Sequence, residues 1–184
     1  LKVNPATITV TAEAKTKTYG EADPALTYTN GNGVKEEVPS FTGELSRVEG
    51  EDVGDYAIQQ NTVALADNEE SGFKAGNYVI AYTPNNLTIS ANGTLTVAGT
   101  SYEGTYDGDG HGDAADTNVT KGTTISYSTD GGKNWSTDVP KVTDVSEITV
   151  NVKAENPNYV TATGSYTLKV NPATITVTAE AKTK

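Results

Sequence analysis

Apolar and polar residues alternate along this chain in short runs, which is the period of a strand with one face buried. The clearest runs are "ATITVTA" (6–12), "LTYT" (26–29), "YAIQ" (56–59), "YVIAYT" (78–83) and "LTIS" (87–90). The second half continues with "TLTVAG" (94–99), "TISYST" (124–129), "EITVNVKA" (147–154) and "GSYTLKV" (164–170). Turn-forming strings such as "GNG" (31–33), "ANG" (91–93) and "DGG" (130–132) separate them. No stretch holds a helical apolar period for three turns. The pattern predicts an all-β protein.

A longer regularity overlies the short one. Residues 1–17, "LKVNPATITVTAEAKTK", recur without change at 168–184, a period of 167 residues. Identity at that spacing is the mark of a tandem array. It predicts that the chain is one period of a longer protein, a reading that the absence of Met also suggests. Within the string, "LKV" closes one module, "NPA" is a short stiff joint, and "TITVTA" opens the next. Proline restricts its own φ and that of the preceding residue, so the joint is expected to pass nearly straight. The expected division is 1–5 for the end of a preceding repeat and the joint, 6–90 for a first module, 91–170 for a second, and 171–184 for the first strand of a following repeat. That last strand has no home sheet of its own. It is expected either to fray or to exchange head-to-tail with the identical strand of a neighbouring molecule.

Composition narrows the function. The net charge is −11, with −7 on residues 1–90 and −4 on 91–184. Such a surface repels phosphate backbones and anionic lipid, so nucleic acid and membranes are not expected partners. No apolar run reaches spanning length, and no signal peptide is present in these residues. There is no Cys, which removes disulfides and thiolate chemistry together. His111 is the only histidine and no serine sits in a G-x-S-x-G elbow, so the residues point away from an enzyme.

Several short motifs carry local chemistry. Asp52-x-Gly54-x-Tyr56 fits a tyrosine corner, in which a strand-start hydroxyl bonds back to nearby backbone. The matching string in the second half has Ile148 instead of Tyr, so packing must hold that corner. Ser128-x-Asp130-x-Gly132-x-x-Trp135 has the Asp-box spacing known from sialidase propellers. Its physics is a capped hairpin turn, and a lone copy beside a single arginine, Arg47, gives no catalytic set. "EGTYDGDGHGDAAD" (103–116) gathers acidic residues without a base between them. Asp107, Asp109, Asp113 and Asp116 are the candidate calcium ligands, although an EF-hand-like frame would place Asn118 where it needs an acid. The simpler reading of this segment is a Gly/Asp turn. Lys17 and Lys153 are candidate donors of an intramolecular Lys–Asn isopeptide bond; exposed lysines at strand ends are the simpler expectation.

The two halves share a plan. Asn77-Tyr78-Val79 has its counterpart in Asn158-Tyr159-Val160, and Tyr19-Gly20 in Tyr106-Asp107-Gly108. The extra residues of the first half fall in "NTVALADNEESGF" (61–73), read as a polar excursion. The blocks "TKTYGEADPALTY" (16–28), "GELSRVEGEDVGDYAI" (43–58) and "AGNYVIAYTPNNLTI" (75–89) resemble the MBG-type repeat of large bacterial surface proteins. "YDGDGHG" (106–112) and "YSTDGGKNWS…NPNYVTATGSYTLKV" (127–170) resemble the YDG-type and Ig-like repeats found beside such units, departing from them at Ser146 and Ile148. The resemblance implies two tandem Ig-like β-sandwich modules, the first alternatively β-grasp-like, displayed outside a bacterial cell. It implies a stalk role flanked by neighbouring repeats of the same chain. The competing expectation is a module that binds host glycan or mucin, with 61–73 and 103–116 as contact sites.

Overall fold

The computed structural model describes residues 2–182; Leu1, Thr183 and Lys184 of the repeated string lie outside the described residues. The chain divides into two compact units, Leu1–Asn92 and Gly93–Lys184. Both are all-β.

The first unit contains β1 (Ala6–Ala12), β2 (Lys15–Thr18), β3 (Tyr28–Asn30), β4 (Ser40–Thr42), β5 (Ser46–Arg47), β6 (Gly54–Gln59), β7 (Ala64–Ala66), β8 (Tyr78–Thr83) and β9 (Asn86–Ser90). Its sheets run β3-β1-β8, β2-β9-β6-β5 and β4-β7. Consecutive strands β1 and β2 therefore belong to different sheets, as do β8 and β9. Yet β1 pairs with β8 in parallel from Ala6↔Tyr78, and β2 pairs with β9 in parallel from Lys15↔Leu87, both at an offset of 72 residues. The first and last segments thus form one parallel ladder, briefly interrupted, that crosses from sheet to sheet. The β-grasp alternative does not hold: that fold lays a helix across its sheet, and here the described residues include only three-residue 3-10 turns at Val34–Glu36 and Ala75–Asn77.

Alternation decides which residues fill the unit. Ile8, Val10 and Ala12 of β1 are buried while Thr7 and Thr9 face water. Ile8 and Val10 meet Phe73 and Tyr78, whose rings stack at 4.6 Å. Tyr28 and Phe41 close the cluster edge-to-face at 5.5 Å. The excursion 61–73 is therefore not a surface loop. It buries Val63 and Phe73 and supplies β7. The hydrophobic effect draws the segment inward despite its charged middle, because Val63, Leu65 and Phe73 all pack away from water.

The second unit contains β10 (Val97–Ala98), β11 (Tyr102–Thr105), β12 (Asp116–Thr117), β13 (Thr124–Ser128), β14 (Ser146–Glu155) and β15 (Ala162–Asn171). The sheets are β11-β15-β14-β13 and β10-β12. Here too an early strand lies parallel to the last, with Tyr102↔Leu168 through Thr105↔Asn171 in register. Val150, Val152, Leu168 and Val170 centre the core, with Tyr127 and Tyr166. Ile148 packs against this cluster, the apolar substitute for a corner tyrosine.

Tyr166 is confined by Gly99, where a Cβ would lie 2.0 Å from the ring. Its buried hydroxyl meets no hydrogen-bonding partner among the described residues. A buried hydroxyl without a partner carries a desolvation cost, so Tyr166→Phe is expected to be neutral or to stabilise this unit by up to about 1 kcal/mol. A urea midpoint lower than wild type would contradict that expectation.

Residues 172–182, within the second copy of the string, form no strand. Ile175 and Val177 are 87% and 90% exposed, whereas their twins Ile8 and Val10 are fully buried.

Candidate functional site

In the first unit, charge gathers around a strand that has no apolar residue. Strand β2 reads "KTKT", and its Lys17 is buried, its side chain only 3% exposed. The expectation of an exposed lysine is thus corrected at this position. Lys17 Nζ lies 2.7 Å from Asp23 Oδ1 and 2.6 Å from Glu51 Oε2. Arg47 of β5 engages the same two acids, donating to both oxygens of Asp23 at 2.6 and 3.1 Å and also to Glu51. The guanidinium further donates to the carbonyls of Val48 and Gly50 and lies over the Tyr56 ring. Two bases and two acids alternate, so each ion has two opposite neighbours and the buried ammonium is compensated.

The same geometry argues against an isopeptide bond at Lys17. Its neighbours are carboxylates rather than an asparagine, and both are held ionised. Hydrogen bonds from Arg47 first, then Lys17, lower the Asp23 carboxyl to about 2, and Lys17 and Arg47 lower Glu51. Lys17 is pushed up by the same partners, Asp23 foremost. Amide formation would need a neutral amine and a protonated acid, the opposite of both states. Lys153 in the second unit is half-buried, paired with Glu155 at 2.8 Å and set over the Trp135 ring at 4.9 Å.

Beside the ionic cluster, the Tyr56 hydroxyl donates to the carbonyl oxygen of Asp52 at 2.7 Å. This is the bond that defines a tyrosine corner, and Gly54 begins β6 between the two residues. The ring is pressed so closely against Gly50 that a Cβ there would stand 2.0 Å from it.

In the second unit, Ser128 and Asp130 organise a turn. The Ser128 hydroxyl donates to Asp130 and accepts from the Gly132 amide at 2.9 Å. Asp130 accepts from the amides of Lys133 and Asn134, each at 3.0 Å, and from the Asn134 side chain. Gly131 and Gly132 take left-handed φ values of 76° and 86°, which the turn requires. Trp135 donates from Nε1 to the Gly132 carbonyl and remains 38% exposed at an open groove of about 460 Å³, beside Asn151, Thr163 and Ser165. The Asp box is a hairpin device, with its tryptophan as anchor.

Donors converging on Asp130, led by the Asn134 amide and the Ser128 hydroxyl, lower its carboxyl to about 2. Asp23 behaves alike in the first unit. Both pKa values lie below the ordinary carboxylate value of about 3.9. Such groups stabilise the folded state above that value and lose the contribution as pH falls toward 2. Acid unfolding is therefore expected to steepen between about pH 4 and pH 2, and Asp23→Asn or Asp130→Asn should flatten the slope. Unchanged slopes in pH-resolved urea titrations would contradict this.

The four aspartates singled out for calcium are not brought together. Asp107 Oδ1 lies 3.0 Å from His111 Nε2 and accepts the Asp109 amide. The imidazole stacks on Tyr102 at 4.1 Å, and His111 pairs through its backbone with Val142. Asp113 is exposed, and Asp116 sits in β12 opposite Ala98. Among the described residues no group of three or more His, Asp or Glu side chains is arranged to hold a metal ion. The segment spans a turn and two strands, so alternation in sequence does not become convergence in space.

The first unit has a counterpart in sequence among known families. Residues 8–88 match the model of the MBG domain (YGX type). The match runs from β1 into β9 and ends before the second unit. The MBG domain is a repeat module of surface proteins, typical of extracellular adhesin-like chains, and not a known enzyme family. No curated protein matches the chain. No helix among the described residues is long and apolar enough to cross a membrane. Sequence reasoning missed the ion cluster of the MBG-type unit. Its only signal was a basic strand, Lys15 and Lys17, with Arg47 and Glu51 far along the chain.

Proposed function

We propose that the chain is a spacer repeat of an extracellular bacterial adhesin-like protein, setting the distance at which a binding part is held from the cell surface. One observation carries this reading: the parallel ladder between the first and last segments of the MBG-type unit. Strands that run side by side in the same direction enter at one end of a unit and leave at the other. The ladder spans residues 6–18, about 40 Å at ~3.3 Å per residue. Such a unit carries the chain from one of its ends to the other instead of folding it back. The 167-residue period supports the same reading.

Solution scattering from one, two and three tandem copies tests it. The maximum dimension is expected to grow in proportion to copy number, and the same proteins should be silent on a glycan and mucin panel with and without calcium. Saturable binding to one glycan class would overturn the spacer reading in favour of an adhesion module. Trp135 is the residue that favours that second reading, because an exposed indole is a stacking surface for sugars. It stands second because Nε1 is already satisfied by Gly132 and Lys153 lies over the ring. Loss of binding in Trp135→Ala would locate such a site.

A further inference from the structure

Each unit pairs a strand near its start in parallel with one near its end, where tension between its ends must act. We infer that these parallel pairs are mechanical clamps, and that the units are built to stay folded while the chain is pulled. The inference rests on the spacer reading, since only a chain held at both ends feels tension along its termini.

Geometry makes the case. When a unit is pulled by its ends, parallel neighbours slide past one another, and every hydrogen bond between them is loaded at once. A hairpin pulled at its open end gives way one pair at a time. In the MBG-type unit the sheared ladder comprises Ala6–Thr11 on Tyr78–Thr83 and Lys15–Thr18 on Leu87–Ser90, extended by the Tyr19 amide on the Ser90 carbonyl. Lys17 ties the sheared strand sideways to Asp23 and Glu51, so the strand cannot slip without breaking both ion pairs of the buried lysine. In the second unit the ladder is Tyr102–Thr105 on Leu168–Asn171, extended by the Tyr106 amide on the Asn171 carbonyl. Side chains bridge the same two strands. Glu103 accepts from Lys169 at 3.0 Å and from Asn171 at 3.1 Å, and the Ser101 hydroxyl accepts the Thr167 amide. The two units use different residues for one purpose: extra bonds placed across the strands that the ends would drag apart. The second ladder is the shorter, so the second unit should yield first.

The test is single-molecule pulling of the whole chain. Held by its two ends, it is expected to give two separate force peaks. The released segments, 102–171 and then 6–90, correspond to on the order of 240 and 290 Å of extended chain at ~3.4 Å per residue. The lack of cysteine allows handles to be placed at will. With cysteines at Val145 and Pro172, which flank the open end of the β14–β15 hairpin, the same unit is loaded by unzipping. Its rupture force should then fall several-fold. Glu103→Ala should lower the end-to-end force of the second unit and leave the unzipping force unchanged. Equal forces in the two pulling directions, or a Glu103→Ala effect alike in both, would overturn the clamps. Weak end-to-end forces with tandem copies that still lengthen in proportion would remove the clamps and leave the spacer standing. Strong forces combined with saturable glycan binding would keep the clamps and remove the spacer.

Discussion

Phe73→Ala is expected to destabilise the MBG-type unit by about 3–5 kcal/mol, the cost of deleting a fully buried aromatic ring and leaving a cavity. The ring is wholly excluded from water, stacks on Tyr78 and packs against Ile8 and Val10 of the first strand. Its backbone also holds the end of the excursion in place, its carbonyl accepting the Asn68 amide at 2.9 Å. A loss of this size is a large share of the stability of a small domain, so the unit should be partly unfolded at ambient temperature. Phe73→Leu, which keeps most of the volume, should cost less than half as much. Urea titration with hydrogen exchange followed on residues 1–92 reads the effect. A cost below about 1 kcal/mol would show that 61–73 is peripheral after all.

Gly50→Ala is expected to be a strongly damaging loop substitution in the same unit, at about 1–3 kcal/mol or more. Two costs add. The glycine has a φ of 148°, which an L side chain rarely adopts, and the new Cβ would stand 2.0 Å from Tyr56. Tyr56 cannot simply retreat, because its hydroxyl is bonded to Asp52 and Arg47 covers its ring. Movement of the Gly50 backbone would also pull its carbonyl from the Arg47 guanidinium, 2.6 Å away. The disturbance should therefore reach the ion cluster, and Asp23 should titrate closer to an ordinary carboxylate. Carbon-detected NMR of Asp23 through an acid titration checks this. An unaltered Asp23 curve with unaltered stability would show that the corner and the cluster are separate.

The alternating segments were legible because each strand's burial is written in its own neighbours. Ile8, Val10, Leu87, Ile89, Val150 and Val152 are buried where alternation places them. The Asp52–Tyr56 spacing is likewise a local signal, because donor and acceptor lie four residues apart. Strands of two to four residues such as β2, β5, β7 and β11 are too short to show a period, and β2 has no apolar residue to show it with. Phe73 was hidden by the charged residues before it. Periodicity weighs a window, whereas burial depends on where a single ring can reach. The acidic turn shows the opposite case: its carboxylates are regular in sequence but stand apart in space, because of the strand that carries Asp116 and the Asp107–His111 contact.

By itself the sequence determined the strand content, the 167-residue repeat, the acidic surface and the local turn devices, because each depends on residues close in the chain or on composition alone. Only the tertiary structure decided that residues 72 positions apart would pair in parallel, that β1 and β2 would divide between two sheets, and that Lys17 would be buried between two acids. Those outcomes depend on long-range pairing, where many registers satisfy the same alternation and the core and the ion cluster together select one.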